Sequence, residues 1–228
     1  MGTDVYLEVG SKRTFACAVD WPGWCRSGKG EEPALEALAS YAARYQAAMG
    51  RSRLAFTAPR GVDELVVVQH MTGNATTDFG APGIVPAADE RPVDDLELER
   101  LRQVLEAAWK AFDAAARAGQ GRQLSVGPRG GGRSLDKIIE HVTGAEVGYV
   151  RQLGSRLSGS GPGGQMSSTS NARRETLEAL SARARGEPLS NPTAVKRPWP
   201  PRYFVRRASW HLLDHAWEVE DRLLPPGG

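Results

Sequence analysis

The sequence predicts a small α+β domain followed by an all-α, up-and-down four-helix bundle. Three observations predict it. Apolar residues near the N-terminus recur mostly with a strand period, while those beyond residue 93 recur every three to four positions. A stretch with no period, rich in Gly, Pro, Asn and Thr, separates the two patterns. The chain has 228 residues, 40% of them hydrophobic and 25% charged, enough to bury one large or two modest cores.

The elements follow in order. VYLEVG and RTFACAVD are short runs around the turn signal GSKR, which reads as a hairpin. In the second run Phe15, Cys17 and Val19 share one face, and Thr14, Ala16 and Ala18 take the other. From Glu31 the period becomes helical. Pro33 suits a first turn, and Leu35, Leu38, Ala42 and Tyr45 carry the apolar stripe until Gly50 ends it. ELVVVQHM returns to a strand, so residues 1–72 read strand, strand, helix, strand. Residues 73–92 form the linker. Within it Asn74, Thr76, Thr77 and Asp78 fit either a loop capping a site or a connector stabilised by Asx and Ser/Thr turns. Residues 93–228 hold four helical segments, Asp95 to Ala118, Ser134 to Leu157, about Ser170 to Arg185, and Tyr203 to Leu224. Their connections are long for a minimal bundle, which favours a site at a bundle mouth.

Charge and composition exclude several function classes. A formal net charge of +2 leaves no global basic footprint, so nucleic acid is not an expected partner. The local cluster Lys196, Arg197, Arg202, Arg206 and Arg207 has no recognition motif with it. No apolar run of about 18 residues spans a membrane, and MGTDVYLEVG lacks the features of a signal peptide. A cytoplasmic location is expected. Cys17 and Cys25 have no CxxC spacing and read as small, partly buried thiols in a reducing compartment.

Chemistry concentrates on the histidines, of which the chain has four. In ASWHLLDHAWEVEDR, His211 and His215 lie one helical turn apart on the stripe of Phe204, Ala208 and Val219. His141 lies among Leu135, Ile138, Val142 and Ala145. Three imidazoles are therefore expected in one core, where unpartnered ring nitrogens are costly. A divalent transition ion (zinc, nickel, iron or cobalt) removes that cost and keeps coordination positions open for water or substrate. His70 lies outside the bundle and reads as a surface or structural residue. GPRGGGRS precedes the His141 helix, with Ser134 as a natural N-cap. Its Arg129 and Arg133 are candidates for binding an anionic ligand or cofactor, the alternative being a solvated loop.

One His on the second helix with HxxxH on the last resembles the DinB/YfiT superfamily over about residues 93–224. The resemblance implies one divalent ion on His141, His211 and His215. Some members of that superfamily replace a histidine by a carboxylate, which makes Asp214 and Glu146 candidates to touch the ion or its water in catalysis. It further implies a metal-dependent hydrolase, or a transferase or isomerase using a low-molecular-weight thiol such as mycothiol or bacillithiol, acting on a small molecule; an anionic substrate would suit Arg129 and Arg133. FACAVDWPGWCRSGKG resembles the HicB-like antitoxin domain, with Asp20, Pro22, Gly23 and Gly28 in matching places. No DNA-binding module follows it, which leaves a dimerising, partner-binding or lid role. Trp21 and Trp24 fit a contact surface or burial against the helix. The rival reading is a non-catalytic interaction protein in which any metal is structural.

Overall fold

The computed structural model describes residues 2–50, 52, 54–126, 132–160 and 168–224. Strands β1 (Thr3–Val9) and β2 (Thr14–Ala18) form the expected hairpin, closed by Gly10 N–H donating to Arg13 O at 2.9 Å. A third strand, β3 (Cys25–Gly28), pairs with β2, and β4 (Leu65–Thr72) runs parallel to β1. The order is β3-β2-β1-β4.

All five residues of β2 are buried because both sheet faces are covered. Val5, Leu7, Ala16, Ala18 and Trp24 join the main core, whereas Tyr6, Phe15, Cys17 and Cys25 pack with Ala81 and Trp210. The two faces of β2 thus divide as its alternation predicts. The expected single helix from Glu31 is two, α1 (Glu31–Ser40) and α2 (Ala42–Met49), with the break at Tyr41 at φ −95° and ψ 0°. Trp24 is fully buried, stacked 5.9 Å from Tyr45, and its Nε1 donates to Leu38 O. Trp21 is partly buried against Phe56, so neither tryptophan forms an exposed surface.

The cysteines correct the thiol expectation. Cys17 and Cys25 stand directly opposite each other on β2 and β3 and are joined as a disulfide. Strand β3 carries the polar sequence CRSG, with no alternation to reveal that register.

The stretch after β4 is built around two buried carboxylates. Asn74 caps the short helix α3 (Ala75–Phe79) in a capping box with Thr77. Glu8 of β1, wholly buried, accepts from Thr77 Oγ1, from Gly83 N–H at 2.8 Å and from Ile84 N–H at 3.1 Å. Asp89 holds Arg206 through two hydrogen bonds of 2.7 Å.

Four long helices complete the chain: α4 (Asp95–Gly119), α5 (Leu135–Leu153), α6 (Thr169–Arg185) and α7 (Pro201–Arg222). Their starts follow ordinary capping chemistry. Asp94, Ser134 and Ser168 accept from backbone amides of the first turn, and Pro201 occupies the first turn of α7. Gly154 and Gly186 end α5 and α6 in the left-handed conformation. Helix α5 stops short of the expected Leu157 because Gly154 takes φ 101°.

Helix α7 is buried nearly all round, as a central element must be. It packs against α4, α5 and α6 and also meets the N-terminal sheet. The DWPG turn comes so close to it that a Cβ on Gly23 would stand 2.8 Å from Ser209 Cβ. Gly23 also has φ +94°, so this position excludes side chains on two counts. One buried cluster runs from Val5 and Trp24 through Leu101 and Ile138 to Val219. No helix among the described residues is long and apolar enough to cross a membrane.

Candidate metal centre

The helical period brings His141 of α5 and His211 and His215 of α7 together, with one nitrogen from each lying within 4.8 Å of the others. His211 Nε2 and His141 Nε2 are 3.1 Å apart. With metal–nitrogen bonds of about 2.0–2.1 Å, two imidazole nitrogens on one ion stand roughly 3.0–3.4 Å apart, so the pair already has ligand spacing. His215 bonds Glu218 Oε2 through Nδ1 at 2.7 Å, which leaves Nε2 for the cluster. Buried His211 has no partner at Nδ1 among the described residues.

The environment keeps His141 and His211 neutral. Burial, then the charges of His215 and Arg207, pushes His211 down to about 2. Burial, then Arg133 and His215, holds His141 below its ordinary value. Neutral nitrogens with free lone pairs are what a divalent ion requires.

Glu218 is the residue bonded to the histidine cluster that the sequence does not single out. It lies three residues after His215, on the same helical face, and Arg222 donates to its second oxygen at 2.7 Å. Arg222 also donates to the carbonyls of Ser125 at 3.0 Å and Arg133 at 2.8 Å. The bond from His215, reinforced by Arg222, holds Glu218 below the usual carboxylate value despite partial burial. A carboxylate on the far ring nitrogen fixes the tautomer and orientation of a ligating histidine. The signal in the sequence is the HxxE spacing of His215 and Glu218.

The two carboxylates expected at the ion lie elsewhere. Asp214 precedes His215 by one position, about 100° around the helix, and pairs with Arg26 at 2.6 Å. There it lines a cavity of about 350 Å³ between β2, β3 and α7, with Arg13, Phe15, Trp210 and Trp217 among its walls. Glu146 follows His141 by five positions, about 140° around α5, and accepts from Trp109 Nε1 of α4. Neither belongs to the histidine cluster.

Arg129 lies outside the described residues. Arg133 is exposed, and its charge acts on His141 and His211. The expected basic cluster does not form one surface. Arg206 is buried on Asp89 and Arg202 pairs with Glu97, while Arg207 lies over Tyr149 and Trp210. His70 sits at the surface beside Glu31 at 3.2 Å.

Comparison of the chain with protein-family models, curated proteins and solved structures finds no match.

Proposed function

We propose that this protein is a metal-dependent enzyme acting on a small molecule at a three-histidine centre, a hydrolase or a thiol-dependent transferase or isomerase. In this reading α4 to α7 form the up-and-down bundle of the DinB-like type, and the N-terminal sheet is a HicB-like unit packed on α7. The observation that carries the reading is the 3.1 Å approach of two neutral imidazole nitrogens beside a third histidine aimed by Glu218. His141, His211 and His215 would hold a zinc, nickel or iron ion, which would supply Lewis acidity and lower the pKa of a water or thiol on it. Three protein ligands leave coordination open, which distinguishes a reactive centre from a closed structural one. The chain itself does the positioning. Glu218 and Arg222 hold His215, and burial of His211 keeps its proton off at neutral pH.

The test is metal content by inductively coupled plasma mass spectrometry on untagged protein beside His211→Ala and His215→Ala. About one equivalent in wild type, lost from both folded variants, is expected. Protein that stays metal-free after reconstitution would make the histidines core polar residues and end the enzyme reading.

One observation favours the interaction reading. Strand β4 ends the sheet, and its Val66 and Val68 are 46% and 52% exposed. An edge strand with exposed β-branched residues invites pairing with a second copy. Light scattering of wild type beside Val68→Lys would show a dimer that the variant loses; a monomer in both would remove this reading.

A further inference from the structure

Arg207 stands on α7 one turn before His211 and differs from its neighbouring arginines. Its Nη1 is buried without a hydrogen-bond partner. Arg173 and Arg202 also leave one buried nitrogen unpaired, but each holds a carboxylate, Asp113 and Glu97 respectively. No carboxylate among the described residues reaches Arg207. Two aromatic rings hold its guanidinium in place, with Cζ 5.3 Å from the Tyr149 centroid and 4.6 Å from that of Trp210. Both rings border the metal centre, Tyr149 at 5.6 Å and Trp210 at 6.1 Å from the His211 ring. Trp199 extends the aromatic wall, 5.5 Å from Tyr149.

The charges around the centre do not balance. The nearby carboxylate, Glu218, is already held by His215 and Arg222. Arg133 and Arg207 both act on His211, and an imidazole bound to an ion brings no negative charge of its own. A divalent ion there would add positive charge that no unpaired carboxylate among the described residues answers, which favours an anionic ligand. A planar guanidinium fixed between rings matches a carboxylate through two parallel N–H···O bonds. The apolar wall suits a flat body attached to it.

We propose that Arg207 is the substrate-anchoring residue of the metal centre and binds the carboxylate of a small, flat organic acid whose body lies against Tyr149 and Trp199. This deepens the metal-centre reading and rests on it.

The test uses the full chain loaded with cobalt(II), whose visible absorption reports on its coordination, titrated with benzoate and separately with inorganic phosphate. Benzoate should saturably change the spectrum and outbind phosphate. Arg207→Gln should weaken benzoate about tenfold or more, the scale of a lost charged hydrogen bond, with cobalt bound at least as tightly as in wild type. Arg207→Lys keeps the charge but not the fork, and should weaken it by an intermediate factor. Equal benzoate affinity in wild type and in the folded variants would overturn the assignment, as would phosphate binding more tightly than benzoate. Cobalt that fails to bind would overturn the metal reading instead. Calorimetric titration of benzoate into metal-free wild type and Arg207→Gln then decides the anchor: a tenfold loss supports it and equal affinity refutes it.

Discussion

Arg206 and Arg207 are consecutive on α7, yet the fold treats them oppositely. Arg206 is 3% exposed and pairs with Asp89 through two hydrogen bonds, while two more of its N–H groups donate to the carbonyls of Ala18 and Val19. Every strong demand of that buried charge is met, and meeting it joins α7 to the end of β2 and to the stretch before α4. Arg207, turned about 100° around the helix, lies on the His211 side with no hydrogen-bond partner for Nη1 among the described residues. Glu8 repeats the first pattern, with three donors on one buried carboxylate. His211 repeats the second, with a buried nitrogen that no described residue satisfies. Buried polar groups that are fully paired hold structure together. Those left unpaired cost stability and point to a ligand that would pair them.

The contrast can be broken experimentally, and the largest effect belongs to the satisfied side. Arg206→Ala leaves Asp89 buried without its partner and should cost about 3–5 kcal/mol, read by urea unfolding. Metal bound per folded molecule should not change. A loss below about 1 kcal/mol would mean that water replaces the pair and that Arg206 is no rivet. On the turn that meets α7, Gly23→Ala should cost about 2–4 kcal/mol, because it combines a disfavoured φ with a clash against Ser209. Beside the unsatisfied His211, Glu218→Gln deprives Arg222 of its charged partner and should cost about 1–3 kcal/mol, while metal binding per folded molecule weakens about 10- to 100-fold, measured by competition with a chelating dye. An unchanged affinity would show that His215 needs no help in orientation.

Much of this contrast was legible in the chain. His211 and His215 sit on an apolar stripe at helical spacing, so their convergence with His141 follows from the period alone. The long helices and the first hairpin were legible for the same reason. Short and polar elements were not. Strand β3 has four residues with no alternation, and the register that opposes Cys17 to Cys25 depends on it. Helix α3 spans five residues, less than two turns, so only its Asn74 cap signals it. Asp214 and Glu146 are candidates through the resemblance, in which a carboxylate can replace a histidine, and both stand near the histidines in sequence. On a helix, nearness in sequence is a different direction in space, and the residue three positions on, Glu218, faces the site. The partners of Arg206 lie in β2 and in the segment before α4, and no local pattern announces a contact made across 117 residues.

Glu146 lies between the two cases and gives the finest test. It accepts one hydrogen bond, from Trp109, while the neighbouring Arg173 is already committed to Asp113 through bonds of 2.6 and 2.8 Å. Burial pushes its pKa above the ordinary 4.5, only partly offset by Trp109 and Arg173. A carboxyl group whose folded pKa is raised favours the protonated form. Its contribution is fully present below the unfolded pKa and is lost as pH rises through the folded value. Glu146→Gln keeps an acceptor for Trp109 and never ionises. The variant should therefore be more stable than wild type at pH 8, by on the order of 1 kcal/mol, with the gap closing toward pH 4. Unfolding curves at both pH values check the sign. A variant less stable than wild type at pH 8 would mean that Arg173 serves Asp113 and Glu146 together, and Glu146 would then join Glu8 and Asp89 among the paired carboxylates that hold the fold.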